Sequence, residues 1–175
     1  MWHVSRLILQ QRTLRDQEGA VACISFTVDM NTLFERFVER VVREAAEQAG
    51  WELVAQAPRR LTARVAMFPD LVLRDGGRDC AVADAKYKEP EEWYNSDLYQ
   101  LLAYCAALGL PRGLSIYGGP RPLERQTVER IGIHLELVGI DLGMSPERIL
   151  LQAREVAAHL IRQAAAAAHP LAPAV

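Results

Sequence analysis

Apolar residues recur every three or four positions between Leu33 and Ala46: Leu33, Phe34, Phe37, Val38, Val41, Val42, Ala45 and Ala46. That period places them on one face of a helix. Asp29, Asn31 or Thr32 can cap its start, and Gly50 suits the position just past its end, so the helix should stop near Ala49. Three β candidates follow, Trp51 to Ala55, Leu71 to Arg74 and Cys80 to Lys86. Between the last two, Asp75-Gly76-Gly77 predicts a tight hairpin, because glycine reaches φ > 0 without steric penalty. A second helix is predicted from about Ser96 to Leu108, capped by Asn95 or Ser96 and stopped by Gly109 and Pro111. A strand is predicted at Gly113 to Tyr117. Another lies near Ile131 to Leu142, where Ile131, Ile133, Leu135 and Leu137 alternate with Gly132, His134 and Glu136. Ser145-Pro146-Glu147 opens a last helix, with proline at the first helical position. It should fade through Ala164 to Ala168, which reads as helix filler. Ahead of these elements, Val4 to Leu14 reads as helical and Val21 to Val28 as β-rich, while Arg59 to Met67 fits neither pattern.

Helix, three strands, helix, strand describes an α/β domain with a small mixed sheet flanked by helices. With no internal repeat and no Gly/Ser linker, one domain is expected over residues 1–175, its core at about 29–142 and a C-terminal helix at 145–168. The composition agrees. Half of the 175 residues are hydrophobic, which excludes a disordered chain. The longest uncharged apolar run, Leu101 to Leu110, falls short of the ~20 residues a membrane helix needs. Arg6, Arg12 and Arg15 interrupt the N-terminal apolar stretch, and no small-residue cleavage site follows, so no secretory signal is read there. Cys23, Cys80 and Cys105 are odd in number and widely spaced, as expected of buried thiols in a reducing, cytoplasmic compartment with no disulfide partner. A net charge of −2 argues against a protein that holds nucleic acid tightly by itself.

The chemistry points the other way. Pro69-Asp70 stands at the start of one hairpin strand and Asp84-Ala85-Lys86 at the end of the other. Side chains alternate along a strand, so Asp84 and Lys86 share a face. A tight hairpin brings Asp70 to the same end. Two carboxylates that close repel unless a cation lies between them, and hard oxygen ligands suit Mg²⁺, with Mn²⁺ as a substitute. Lys86 beside two carboxylates keeps its proton, which favours positioning of water and charge stabilisation over general-base action. Glu35 falls at the edge of the apolar arc of the first helix, where it can turn towards this site. It can equally complete a capping box if Thr32 is the N-cap. Gln100 and Tyr104, four apart, share a face of the second helix; Gln100 can bond a water or phosphate near the metal.

In order, these phrases resemble the PD-(D/E)xK nuclease superfamily, and within it the McrC-like nuclease subunits of 5-methylcytosine-specific restriction systems. The matching words are Asp29-Met30-Asn31-Thr32-Leu33-Phe34-Glu35-Arg36-Phe37-Val38, Pro69-Asp70-Leu71-Val72-Leu73, Asp84-Ala85-Lys86-Tyr87-Lys88 and Asp97-Leu98-Tyr99-Gln100-Leu101-Leu102-Ala103-Tyr104. The resemblance implies a restriction-endonuclease-like core and a metal-dependent endonuclease that cuts double-stranded DNA. It implies Asp70, Asp84 and Lys86 as the catalytic set, tips Glu35 towards a supporting acid on the metal, and makes Gln100 an active-site helix residue. It further implies a hexameric AAA+ GTPase partner that recognises modified DNA and translocates, in antiphage defence. Family members carry a long N-terminal region before the DMN phrase through which they engage that motor; here the phrase opens already at Asp29, so a nuclease core without that region is expected.

Lys88, Tyr104, Arg59 and Arg60 are candidates for contact with DNA, with Arg64 beside them; Lys88 suits an exposed strand end equally well. Trp93-Tyr94 reads as packing under a loop more than as the lining of a DNA groove. His3, His134, His159 and His169 have no metal-ligand spacing. A RecB or Holliday-junction type of nuclease is an alternative, since QxxxY occurs there too. So is a non-catalytic DNA-binding or assembly module derived from a nuclease, although the complete Asp70, Asp84, Lys86 set speaks against decay.

Overall fold

A computed structural model describes residues 14–15, 24–25, 28–88 and 95–169. In chain order the elements are β1 (Leu14–Arg15), β2 (Ile24–Ser25), α1 (Met30–Ala49), β3 (Glu52–Ala55), β4 (Arg59–Arg60), β5 (Ala66–Met67), β6 (Leu71–Asp75), β7 (Arg78–Lys86), α2 (Asn95–Leu108), β8 (Arg112–Tyr117), β9 (Glu124–Val128), β10 (Ile133–Gly139) and α3 (Pro146–Ala168). Six strands form one mixed sheet in the order β3-β6-β7-β8-β10-β9. The stretch β3-β6-β7 is antiparallel, β7-β8-β10 is parallel, and β9 pairs antiparallel at the far edge. The expected small mixed sheet flanked by helices, with a C-terminal helix, is the architecture found.

Helix α1 starts where Asp29 accepts the backbone N–H groups of Asn31 and Thr32. Of the three possible caps, Asp29 is therefore the one used, and the Thr32 hydroxyl donates back to it at 2.8 Å. This removes the capping-box role for Glu35, whose carboxylate lies too far along the helix to close a box with Asp29. The helix ends as predicted: Gly50 takes φ 78°, and Trp51 N donates to Ala46 O at 2.9 Å.

The sheet separates two apolar layers by strand alternation. Leu71, Leu73, Ala81, Ala83, Ala85, Leu114 and Ile116 face α1 and α3. Val72, Val82, Ile133 and Leu135 face α2, where Leu101, Tyr104 and Cys105 meet them. Helix α3 belongs to the first layer. Ala153, Val156, Ala157, Leu160 and Ala164 are buried there, so Ala164 is core and not the filler its alanine run suggests. The alanines among them, Ala153, Ala157 and Ala164, face a sheet that itself presents Ala81, Ala83 and Ala85. Cys80 and Cys105 are buried free thiols, as expected.

Other expectations are corrected. Leu14 lies in β1, paired with Ser25 of β2, and not in a helix; Val4 to Thr13, Cys23, His3 and Trp93-Tyr94 lie outside the described residues. The Ile131 to Leu142 stretch is shorter as a strand. Ile131 is exposed in a turn in which Gly132 takes φ 66°, and β10 runs from Ile133 to Gly139. Strand β9 went unpredicted because Glu124-Arg125-Gln126-Thr127 carries almost no apolar signal. It is an edge strand with polar groups on both faces. The unassigned Arg59 to Met67 stretch is a two-rung hairpin, β4 on β5. Among the described residues no helix is long and apolar enough to cross a membrane.

Candidate active site

The hairpin β6–β7 turns through Gly76 (φ 54°) and Gly77 (φ 86°), the left-handed pair that a two-residue turn of this hand requires. Asp75 pairs with Arg78 and Arg74 with Asp79, but Leu73 pairs with Ala81. Cys80 is thus an extra residue, a β-bulge. Beyond it, Leu71 pairs with Ala83, which sets Asp70 beside Asp84 on the α2 face. Asp70 Oδ2 accepts the Ala85 N–H at 2.9 Å, and the Asp70 carboxyl lies close enough to Asp84 to act on its charge. Lys86 Nζ lies 2.7 Å from Asp84 Oδ2. The two carboxylates and the ammonium expected from the sequence are together.

Burial shapes their charge. Asp84 is 2% exposed. Loss of solvent and the neighbouring Asp70 push its carboxyl up to about 7, against the pull of Lys86. Burial also raises Asp70, and the Ala85 N–H only partly offsets this. Burial by itself would lower Lys86, but Asp84 and then Asp70 outweigh it and raise the ammonium above its ordinary value. The cluster has carboxylates that resist ionisation and a lysine that keeps its proton. Such an acidic pair has room in its electrostatics for a further cation.

Glu35 reaches the site from the other face of the sheet, around the strand ends. It shares a cavity of about 190 Å³ with Asp70, Gln56 and Arg36. Burial, and then Asp84 and Asp29, raise its carboxyl, while Lys86 opposes them. Gln56 ties the two together: its amide donates to Glu35 Oε2 at 3.4 Å and its backbone N–H to Asp70 O at 3.2 Å. Gln56 does this with φ 47°, an uncommon conformation for a side chain of its size, at the end of β3. Among the described residues no group of three or more His, Cys, Asp or Glu side chains converges to hold a metal ion. The donor set is the Asp70–Asp84 pair, with Glu35 standing off.

On α2, Gln100 Nε2 donates to Tyr104 Oη at 2.6 Å, and Tyr104 Oη donates to Phe68 O at 3.4 Å. Tyr104 is 3% exposed, its ring in the core and its hydroxyl near Asp84 and Asp70; burial and those charges push it up to about 12. With its ring in the core, Tyr104 braces the site through its hydroxyl. Arg59 is likewise not brought to the acidic pair. Its guanidinium is bonded to Asp79 at the turn end of the hairpin, far from Asp84. Arg60 is exposed on the same small hairpin. Lys88 Nζ contacts Asp97 at 3.1 Å. Asp97, 5% exposed, also accepts the Tyr117 hydroxyl at 3.2 Å and so fixes the start of α2 against the sheet.

Sequence reasoning passed over Gln56, Asp97 and the bulge at Cys80. Asp97 carried a signal, an acid in the first turn of a helix. Gln56 carried none, since its conformation comes from tertiary packing. None of the three histidines among the described residues joins the acidic pair; His159 bonds Glu136, and His134 bonds Thr127.

No curated protein matches the chain in sequence. Solved structures share its fold, among them two. One is a half-complex from the tetradecameric assembly of Thermococcus gammatolerans McrB AAA+ hexamers with bound McrC, with TM-score 0.60 and 24% identity, covering 79% of this chain and 34% of that one. The other is Can2 from Sulfobacillus thermosulfidooxidans in complex with cyclic tetra-adenylate, with TM-score 0.50 and 16% identity, covering 94% and 46%. The chain thus spans about a third of the first structure's length and less than half of the second's. The family described as McrBC 5-methylcytosine restriction system component matches residues 1–118, well over half the chain. With that match, and with a fold like that of McrC, this chain belongs to the McrBC 5-methylcytosine restriction system component family.

Proposed function

We propose that this chain is the DNA-cleaving element of a modification-dependent restriction system, a Mg²⁺-dependent endodeoxyribonuclease on a PD-(D/E)xK core. The observation that carries this reading is the pairing of half-buried Asp70 with buried Asp84, with Lys86 at 2.7 Å from Asp84. The donor set fits Mg²⁺ or Mn²⁺: two hard carboxylates, with the remaining positions left to water and substrate phosphate, as Mg²⁺ prefers. Asp70 and Asp84 would hold the ion, and Glu35 would support them from the adjoining cavity. A bound divalent cation supplies Lewis-acid activation of water and offsets phosphate charge.

The chain's own groups do the rest. Asp70 is fixed by the Ala85 N–H, so its free oxygen is aimed before substrate arrives. Lys86 keeps its proton, orients the attacking water and stabilises charge on the phosphate oxygens. Gln100, locked by Tyr104, presents its amide beside them. Water oxygen bonds to phosphorus and gives up a proton to solvent, the bond to the 3′ oxygen breaks, and the departing oxygen takes up a proton from solvent.

A net charge of −2 supports weak DNA binding by the free chain. Capture of double-stranded DNA then falls to a partner, and family membership supports an AAA+ GTPase of the McrB type, acting in the cytoplasm where invading DNA is met. The test is Mg²⁺-dependent cleavage of modified plasmid, with and without that partner. Asp84→Asn and Lys86→Ala should each abolish it. Unchanged cleavage by either variant overturns the site.

A further inference from the structure

Next to the acidic pair, on the α2 face, lies a second cavity of about 340 Å³, within the range of ligand pockets. The small hairpin β4–β5 and helix α2 form it, and Leu61, Met67, Phe68, Gln100, Ala103 and Tyr104 line it. Its walls are apolar apart from the Gln100 amide and the Tyr104 hydroxyl. Phe68 is 57% exposed, although buried residues flank it on both sides, Met67 and Pro69. Such a ring is costly to leave in water. Tyr99, 69% exposed, stands one helical turn before Ala103 on α2.

This groove is continuous with the acidic pair. Phe68 is two residues from Asp70, at most about 7 Å along the chain. The Tyr104 hydroxyl holds the Phe68 carbonyl and also feels the charges of Asp84 and Asp70. Whatever chain of phosphates crosses Asp70 and Asp84 therefore carries its neighbouring group into the groove. A planar, polar-edged ring suits it: an aromatic face for stacking and one amide to bond a base edge. A paired, stacked base cannot offer its faces to a protein ring, whereas an unstacked one can.

We propose that the Phe68–Gln100 groove seats an unstacked nucleobase of the substrate strand beside the scissile phosphate, so that the site acts preferentially where the duplex is opened. This rests on the nuclease reading above. Phe68 supplies the stacking face and Gln100 the edge contact, and the strand-opening work falls to whatever drives DNA into the site.

The probe is a DNA duplex with one unpaired 2-aminopurine, compared with the fully paired duplex, both titrated with the Asp84→Asn protein in Mg²⁺. Fluorescence of the unpaired base should be quenched on binding, and Phe68→Ala should remove the quenching while Phe68→Trp restores it. Because Phe68 is exposed, both variants should keep the parent's far-UV circular dichroism. In a parallel cleavage assay with otherwise native protein, the duplex with the unpaired base should be cut about tenfold faster than the paired one, and Phe68→Ala should level the two. Equal cleavage of both duplexes by the native chain, or a preference untouched by Phe68→Ala, overturns the proposal. Phe68-dependent quenching without any metal-dependent cleavage would support the base site and overturn the nuclease reading instead.

Discussion

Asp70 and Asp84 lie on the same face of the sheet because Cys80 is an extra residue between them. The turn pairs Asp75 with Arg78; continued without interruption, that register would set Asp70 opposite Ala83 and Asp84 on the other face. The bulge shifts the pairing by one, so that Leu71 meets Ala83 and Asp70 falls beside Asp84. Deleting Cys80 should therefore leave a regular ladder in which Leu73 still meets Ala81 and Asp70 still lies beside Asp84, whereas one alanine inserted after Ala81 should turn Asp84 to the other face. The expected result is Mn²⁺ uptake kept by the deletion variant and lost by the insertion variant, measured by calorimetry, with the far-UV circular dichroism of an α/β chain retained in both. Full uptake by a folded insertion variant would refute the role of the register.

The acidic pair is held against its own repulsion. Burial and Asp70 raise Asp84 to about 7, so in the metal-free chain near neutral pH its ionised form strains the fold. Asp84→Asn should raise the stability of the metal-free chain by about 1 kcal/mol while abolishing cleavage, as replacement of a strained functional group often does. Thermal unfolding with and without Mg²⁺ checks this. Added metal should stabilise the native chain and leave the variant almost unmoved.

Glu35 and Asp70 should separate by magnitude. Asp70 lies beside Asp84 across the hairpin, whereas Glu35 lines the adjoining cavity from α1, held by Gln56. Asp70→Asn should remove detectable cleavage. Glu35→Gln, like loss of other groups that support a metal ligand, should cost about 10–100-fold and weaken Mg²⁺ binding. Saturating Mg²⁺ should recover part of the Glu35→Gln loss and none of the Asp70→Asn loss.

Acid stability should trace to a different carboxylate. Glu136 on β10 is fully buried, bonded by Arg125, His159 and Gln163. Burial works to raise it, but the hydrogen bonds from His159 and Arg125 win and hold it below 4.5. A lowered carboxyl contributes stability that is complete above about 4.5 and is lost as pH falls through its folded value. Urea unfolding across pH 3 to 7, a range of roughly ordinary carboxylate titration, should show an acid-side slope that shrinks in Glu136→Gln. Asp70 and Asp84, being raised, act with the opposite sign, and subtracting the variant from the native curve removes them. At neutral pH Glu136→Ala should cost about 2 kcal/mol, less than for a wholly buried pair because Arg125 can turn to solvent.

The local pattern determined much of this protein. Helical spacing from Leu33 to Ala46 and the Gly50 stop fixed α1. The Gly76-Gly77 pair fixed the hairpin, and Asp84 and Lys86 two apart fixed a shared face. These features depend on neighbours along the chain, and their periods survive in any sequence that folds this way. The words Pro69-Asp70 and Asp84-Ala85-Lys86, taken in order, also pointed to the residues that the structure gathers. What only tertiary structure decided depends on neighbours across space. Strand β9 holds its place through Arg125 and Glu136, not through an apolar stripe. Ala164 became core because α3 packs this face against the sheet. The ion pair of Arg59 with Asp79 and the place of the Tyr104 ring in the core were likewise set by neighbours across space. The bulge at Cys80 has no signature of its own, yet it decides whether two carboxylates meet, because strand alternation turns a one-residue shift into a change of face.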